Sequence, residues 1–134
     1  MTYLVGYVAS LAMFGIIDAI WLSVMAGILY RPTLGAILLD RLRWAPALIF
    51  YFGFPLGIVH FAVMPALATG QLLHAVANGA LFGLFAYATY DLTNHATLRV
   101  WTLKLTLADM AYGTVATGLA GAAGFLALRQ LGWT

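Results

Sequence analysis

The chain has no cysteine and no glutamate, and only 7% of its 134 residues are charged. Without cysteine there can be no disulfide, no thiolate nucleophile and no cysteine-bound metal. All four acidic residues are aspartates, so any mechanism that uses a carboxylate must use one of these four. A soluble globular protein needs a charged surface that this composition does not supply. The composition therefore indicates an integral membrane protein.

Long apolar runs account for most of the remaining sequence, which is 64% hydrophobic. We predict an all-α fold, a single domain over 1–134 that is a bundle of four transmembrane helices with short loops. At ~1.5 Å per residue, each run is long enough to cross a hydrocarbon core of about 30 Å. Proline and charge at 30–32 should end the first helix. The predicted helices are approximately 3–29, 46–68, 72–91 and 105–128.

The basic residues predict how these helices are oriented. In a four-span topology only Arg129 falls on the side of the termini, and the other five cations fall opposite. Because cytoplasmic loops are enriched in Lys and Arg, both termini should face out of the cytoplasm. The net charge of +2 then reflects topology and not a nucleic-acid partner. We expect a multi-pass protein of the bacterial inner membrane, with these cations inside: Arg31, Arg41, Arg43, Arg99 and Lys104.

Small residues recur at four-residue spacing on two of the predicted helices. Gly79 and Gly83 share one face of the third helix, and Gly113, Thr117 and Gly121 share one face of the fourth. Small residues let transmembrane helices approach closely where no hydrophobic effect acts between them. We favour contacts within the bundle over a dimer interface.

Asp18 is an acidic residue within the first apolar run, near the middle of the bilayer. A carboxylate there costs roughly 2.5–3.5 kcal/mol on insertion scales, so it needs a partner, a proton or a wet cavity. One interpretation is a proton-carrying or ligand-orienting acid, with Trp21 on the same face. The other is a neutral acid bonded to a backbone carbonyl or a tyrosine. His60 has a similar predicted depth, so Asp18 and His60 form a tentative catalytic, proton-handling pair.

A second polar group surrounds the loop between the third and fourth helices. Asp91 and Asp109 should close the inner ends of these helices, with Arg99 and Lys104 as their ionic partners. Such pairs clamp the loop or bind an anionic headgroup at a cytoplasmic mouth, to which Asn94 would also belong. We regard the clamp as the simpler interpretation.

Other familiar chemistry lacks a motif in this sequence. There is no nucleophile elbow, phosphate-binding loop or dinucleotide-binding glycine loop. The three histidines lie at different predicted depths, which argues against haem, and no close-spaced set of ligands predicts a metal. We expect no cofactor and no metal, and whether the protein is an enzyme stays open.

Three segments carry a resemblance to a known family: DAIWL (18–22), FYFGFPLGIVHF (50–61) and GALFGLFAYATYDLTNHATLRVWTLKLTLADMAYGT (79–114). Together they resemble bacterial domain-of-unknown-function family 2177, short four-helix inner-membrane proteins. The resemblance implies a fold and a location but no established activity. Tyr112, Thr102 and His95 depart from the family pattern, which more often has tryptophan, proline and an aliphatic residue. The matched motif marks Asp18, Trp21, Tyr90, Asp91, Asn94, Trp101, Lys104 and Asp109.

The leading hypothesis is a protein that handles a lipid acyl chain or another apolar ligand through a small intramembrane polar pocket. The resemblance supports it, because family members are often encoded near methyltransferases that modify fatty-acyl chains. The alternatives are an accessory subunit of a larger respiratory or photosynthetic complex, and a path for protons or small ions. Expected partners are membrane lipids, a larger complex or a second copy. Predicted ligand-binding residues are Trp21, Tyr90, Asp91, Asn94, Arg99, Trp101, Lys104 and Asp109.

Overall fold

A computed structural model describes residues 1–133, and these residues form four long helices and no strand. All four helices are long and apolar enough to cross a membrane, which confirms the predicted all-α, four-span fold. The first is 33 residues long, or about 50 Å at the usual rise of an α-helix. The helices are α1 (Thr2–Leu34), α2 (Trp44–Thr69), α3 (Leu72–Thr97) and α4 (Leu103–Gln130).

The two ends of the bundle differ in their connections and in their charge. At one end, Gly70 joins α2 to α3 with φ of 66°, a left-handed conformation that favours glycine. At the other end, segments 35–43 and 98–102 connect α1 to α2 and α3 to α4. We call this second end the basic end, because it carries Arg31, Arg41, Arg43, Arg99 and Lys104.

Helix α4 is the centre of the bundle. Its interfaces with α3 and with α1 are the two largest between helices. In its most apolar 18-residue stretch, 56% of the residues are buried, against 11–28% in the other three helices. A Cβ on Gly79 of α3 would lie 2.7 Å from the carbonyl oxygen of Thr117 on α4, so only glycine fits there. The predicted contact between small residues thus lies within the bundle.

Two prolines explain where the helices depart from regular α geometry. Pro32 and Pro65 each follow a π-helical segment by two residues, Ala26–Tyr30 and Val59–Val63 respectively. A proline ring clashes with the carbonyl of the fourth residue before it, and it offers that carbonyl no N–H. This carbonyl is at the centre of each π segment, where the wider turn removes the clash.

The helices extend beyond their predicted bounds at the basic end. Helix α1 continues through Pro32 to Leu34, because the π segment before the proline accommodates the ring. Helix α3 continues to Thr97, six residues past Asp91, so this aspartate lies inside the helix and not at its end. The extension places Asp91 against α4 instead of in the loop.

Candidate functional site

Asp18 links three helices through its carboxyl group. It lies at the midpoint of α1 and is only 7% exposed. Tyr112 of α4 donates a hydrogen bond to Asp18 Oδ1 at 2.6 Å, and Tyr51 of α2 donates to Oδ2. Both carboxyl oxygens therefore have a phenol donor, which is the arrangement that makes a carboxyl group tolerable at this depth.

Trp21 connects Asp18 to a second aspartate. Its ring stacks on that of Tyr112, with centroids 4.4 Å apart and planes at 12°. Its indole Nε1 donates to the hydroxyl of Tyr30 at 2.8 Å, and that hydroxyl donates to Asp109 Oδ1. Tyr30 is the last residue of the first π segment, so the turn induced by Pro32 helps to set where this hydroxyl lies.

Asp91 and Asp109 face each other at one depth in the bundle. Asp91 is six residues before α3 ends, and Asp109 is six residues after α4 begins. Asp91 is fully buried, and within residues 1–133 no group donates a hydrogen bond to either of its oxygens. The carboxyl group of Asp109 is close enough to interact with it electrostatically. We call these two groups the carboxyl pair.

A cavity of about 410 Å³ adjoins the carboxyl pair. Aromatic rings from α2 and α3 form most of its wall, and Asp109 is the acidic residue on it. Gly113 of α4 makes room for one of these rings, because a Cβ there would overlap the ring of Tyr87. The lining residues are Phe50, Phe54, Ala86, Tyr87, Tyr90 and Asp109.

Trp101 lies behind the cavity wall. It is 7% exposed, and its indole Nε1 donates to Thr106 Oγ1 at 2.9 Å. Its ring meets that of Tyr90 edge to face, with centroids 5.5 Å apart. Trp101 therefore supports Tyr90, which lines the cavity.

The structure does not bring Asp18 and His60 together, so the predicted pair has no direct contact. His60 Nδ1 lies 3.3 Å from the hydroxyl of Tyr3, near the end of the bundle opposite the basic end. The fifteen residues from Tyr3 to Asp18 correspond to about 22 Å along α1. The prediction assumed that α1 ends at residue 29, which places Asp18 and His60 at similar depths. Because α1 continues to Leu34, the depth of Asp18 in the bundle differs from the predicted one.

Arg99 and Lys104 are not the ionic partners of Asp91 and Asp109, contrary to the sequence-based expectation. Both cations are exposed, whereas the two carboxyl groups lie about 9 Å inside the helix ends. Asn94 is half-buried one turn beyond Asp91. Within residues 1–133, no group of three metal-ligating side chains converges.

A comparison with protein families shows that the model of a predicted membrane protein family, DUF2177, matches residues 3–126. The chain belongs to DUF2177. The match covers nearly the whole chain and confirms the resemblance carried by the three sequence segments. For this DUF2177 protein, no curated protein and no solved structure gives a match.

Sequence reasoning missed several residues of this DUF2177 site. Tyr51 and Tyr30 donate to the buried aspartates, and Phe50, Phe54 and Tyr87 line the cavity. The available signal was tyrosine within apolar runs, because a phenol hydroxyl inside a membrane must find an acceptor. The two phenylalanines carry no such signal and resemble lipid-facing residues until the fold is known.

Proposed function

We propose that this protein binds an apolar, membrane-embedded ligand, such as a lipid acyl chain, in the cavity between α2, α3 and α4. It does so in the bacterial inner membrane with both termini outside. The observation that carries the proposal is the cavity itself. Its volume of about 410 Å³ falls in the range of roughly 300–1,000 Å³ typical of small-molecule sites. Such sites combine apolar walls with few convergent polar groups, as this one does.

The exposure of the wall residues supports entry from the bilayer. Phe50 and Tyr90 are 44% and 58% exposed, and both belong to membrane-spanning helices. Tyr90 is seven residues from the end of α3, or about 10 Å below it. The mouth of the cavity thus opens on the side of the bundle at the depth of the lipid chains, so a ligand reaches it laterally.

The surrounding polar groups give the site an orientation. Asp109 is the polar end of the cavity, and Tyr30 and Trp21 hold its carboxyl group in place through the hydrogen bonds described above. An apolar chain would pack against the aromatic rings while its polar group reaches Asp109. Trp101 acts through Tyr90 and serves as a positioning residue.

The test is lipid retention by a variant whose cavity is filled. Ala86→Phe places a ring in the cavity, whereas Ala77→Phe adds the same ring on an exposed position of the same helix. Native mass spectrometry of protein extracted gently from its own membrane should show a bound lipid in the wild type and in Ala77→Phe, but not in Ala86→Phe. Equal retention in the two variants would show that the cavity is not the binding site.

A shallow groove favours a second candidate, an accessory subunit of a larger membrane complex. The groove, about 210 Å³, runs between α3 and α4 and is lined by Val76, Ala80, Thr114, Val115, Gly118 and Leu119. Small residues of this kind are where another transmembrane helix packs closely. If a partner helix lies there, Val115→Trp should release it in native mass spectrometry. Leu107→Trp, equally exposed on α4, should not.

A further inference from the structure

We propose that the ligand in this cavity carries a positive charge, as an ammonium group on an apolar body. The inference rests on the proposed function, since it assumes that the cavity binds a ligand, and it adds the chemical class of that ligand. Aromatic rings meet Asp109, one member of the carboxyl pair, at this cavity, and no cation among residues 1–133 forms an ion pair with either carboxyl group.

The buried carboxyl groups of the chain differ in how well they are satisfied. Asp18 has one phenol donor on each of its two oxygens, whereas within residues 1–133 the carboxyl pair has one phenol donor for its four oxygens. Asp91 has no donor within residues 1–133, and the donor found for Asp109 there is the neutral phenol of Tyr30. A buried carboxylate without a cation is costly, so this pair must hold a proton or receive a positive charge from outside the chain.

The aromatic walls of the cavity also suit a cation. The face of an aromatic ring is negative and attracts an ammonium group, more strongly where water is excluded. Phe54 stacks on both Phe50 and Phe82, with centroids 5.2 and 5.1 Å from its own, so its faces are engaged by other rings. The other rings that line the space beside Asp109 are those of Phe50, Tyr87 and Tyr90. A neutral chain has no use for the carboxyl group, and an anionic headgroup would be repelled by it.

Such a cation and a proton compete for the carboxyl pair. Two adjacent carboxylates repel each other, and either a proton or an ammonium group supplies the positive charge that relieves this repulsion. Helix α2 contributes Phe50 and Phe54 to the cavity lining and no acidic residue, so the acidic groups at this site are those of the carboxyl pair. The affinity for the cation should therefore fall as the pH is lowered. The titratable groups that face Asp109 are Tyr30 from α1 and Tyr87, Tyr90 and Asp91 from α3.

The experiment compares two probes of the same shape that differ in charge. Benzyltrimethylammonium and its neutral isostere neopentylbenzene are dialysed to equilibrium against the wild-type protein in nanodiscs, with protein-free nanodiscs as the blank. The cation should bind at least roughly tenfold more tightly than the isostere. Asp109→Asn should lose this preference. The comparison of probes on the wild type needs no variant and so does not depend on how Asp109→Asn folds.

The outcomes separate this inference from the proposed function. Equal binding of the two probes overturns the charge requirement but leaves an apolar site in place. If neither probe binds and Ala86→Phe retains its lipid, both proposals fall. A preference that persists in folded Asp109→Asn overturns the role of the carboxyl pair. Nanodiscs with and without phosphatidylethanolamine identify the source of the ammonium group. If this lipid competes with benzyltrimethylammonium, the ligand is a lipid with a headgroup amine. If it does not compete, the ligand is a diffusible amine.

Discussion

The carboxyl group of Asp18 should contribute measurably to stability through its two phenol donors. Asp18→Asn keeps the shape of the side chain, but an amide nitrogen has no lone pair to accept a phenol proton, so at least one of the two bonds is lost. Tyr112→Phe and Tyr51→Phe each remove one donor and leave the ring packing intact. Combining these changes isolates the energy of each bond.

The expected magnitudes follow from the geometry. Hydrogen bonds inside membrane proteins have coupling energies of about 0.6 kcal/mol on average and about 1.7 kcal/mol at most. The bond from Tyr112 is short, at 2.6 Å, and lies in the buried interior, so we expect a coupling of about 1–1.7 kcal/mol. Tyr51 is only partly buried, and we expect its coupling to be nearer to about 0.6 kcal/mol.

The assay is equilibrium unfolding in mixed micelles of rising SDS fraction, followed by tryptophan fluorescence. A double-mutant cycle of Asp18→Asn with Tyr112→Phe gives the coupling free energy directly. Tyr3→Phe is the control, because its hydroxyl makes a long, exposed contact with His60. A coupling below about 0.3 kcal/mol, the scatter expected of independent sites, would refute the assignment of Asp18 as a cross-link between helices.

Three further predictions concern packing, orientation and the cavity wall. Gly79→Ala should lower the free energy of unfolding by about 1–3 kcal/mol, since its Cβ meets the α4 backbone. Gly53→Ala, with nothing within 4 Å of its Cβ, should not lower it in the same SDS titration. The chain has no cysteine, so single introduced cysteines can map its orientation in the membrane. An impermeant maleimide applied to whole cells should label Gln71→Cys and not Asp40→Cys. The reverse labelling pattern would show that the topology is inverted. Trp101→Phe should cost about 1 kcal/mol in that titration through its lost indole hydrogen bond, and an unchanged midpoint would show that this bond is not stabilising.

Much of the fold was predictable because its causes are local. Composition and run length decide that a segment must be a membrane-spanning helix, and small residues at four-residue spacing predict which faces pack. Gly79 and Gly83 on α3 do meet Thr117 on α4. Asp91 and Asp109 were predicted at the inner ends of two neighbouring helices, but with Arg99 and Lys104 as their partners and not as a pair.

A tyrosine partner for Asp18 was one of the two interpretations of the sequence, but which tyrosines pair with it could not be predicted, because that depends on how far each helix extends and which way it faces. Two π segments interrupt the regular helical period, and each extra residue turns the helix by about 100°. His60 lies inside one of these segments, so its direction does not follow from the spacing of its neighbours. The added length of α1 also shifts Asp18 relative to α2. Tyr51 thus meets Asp18 where His60 was expected.

The central position of α4 also governs how this protein is made. Helices leave the ribosome in chain order, and α4, whose interfaces with α1 and α3 are the largest in the bundle, is synthesised after the other three. Until it arrives, the glycine face of α3 lacks its packing partner, and Asp18 has Tyr51 of α2 as a donor but not Tyr112. The interior of the bundle is therefore completed only when α4, the last of the four helices, enters the bilayer.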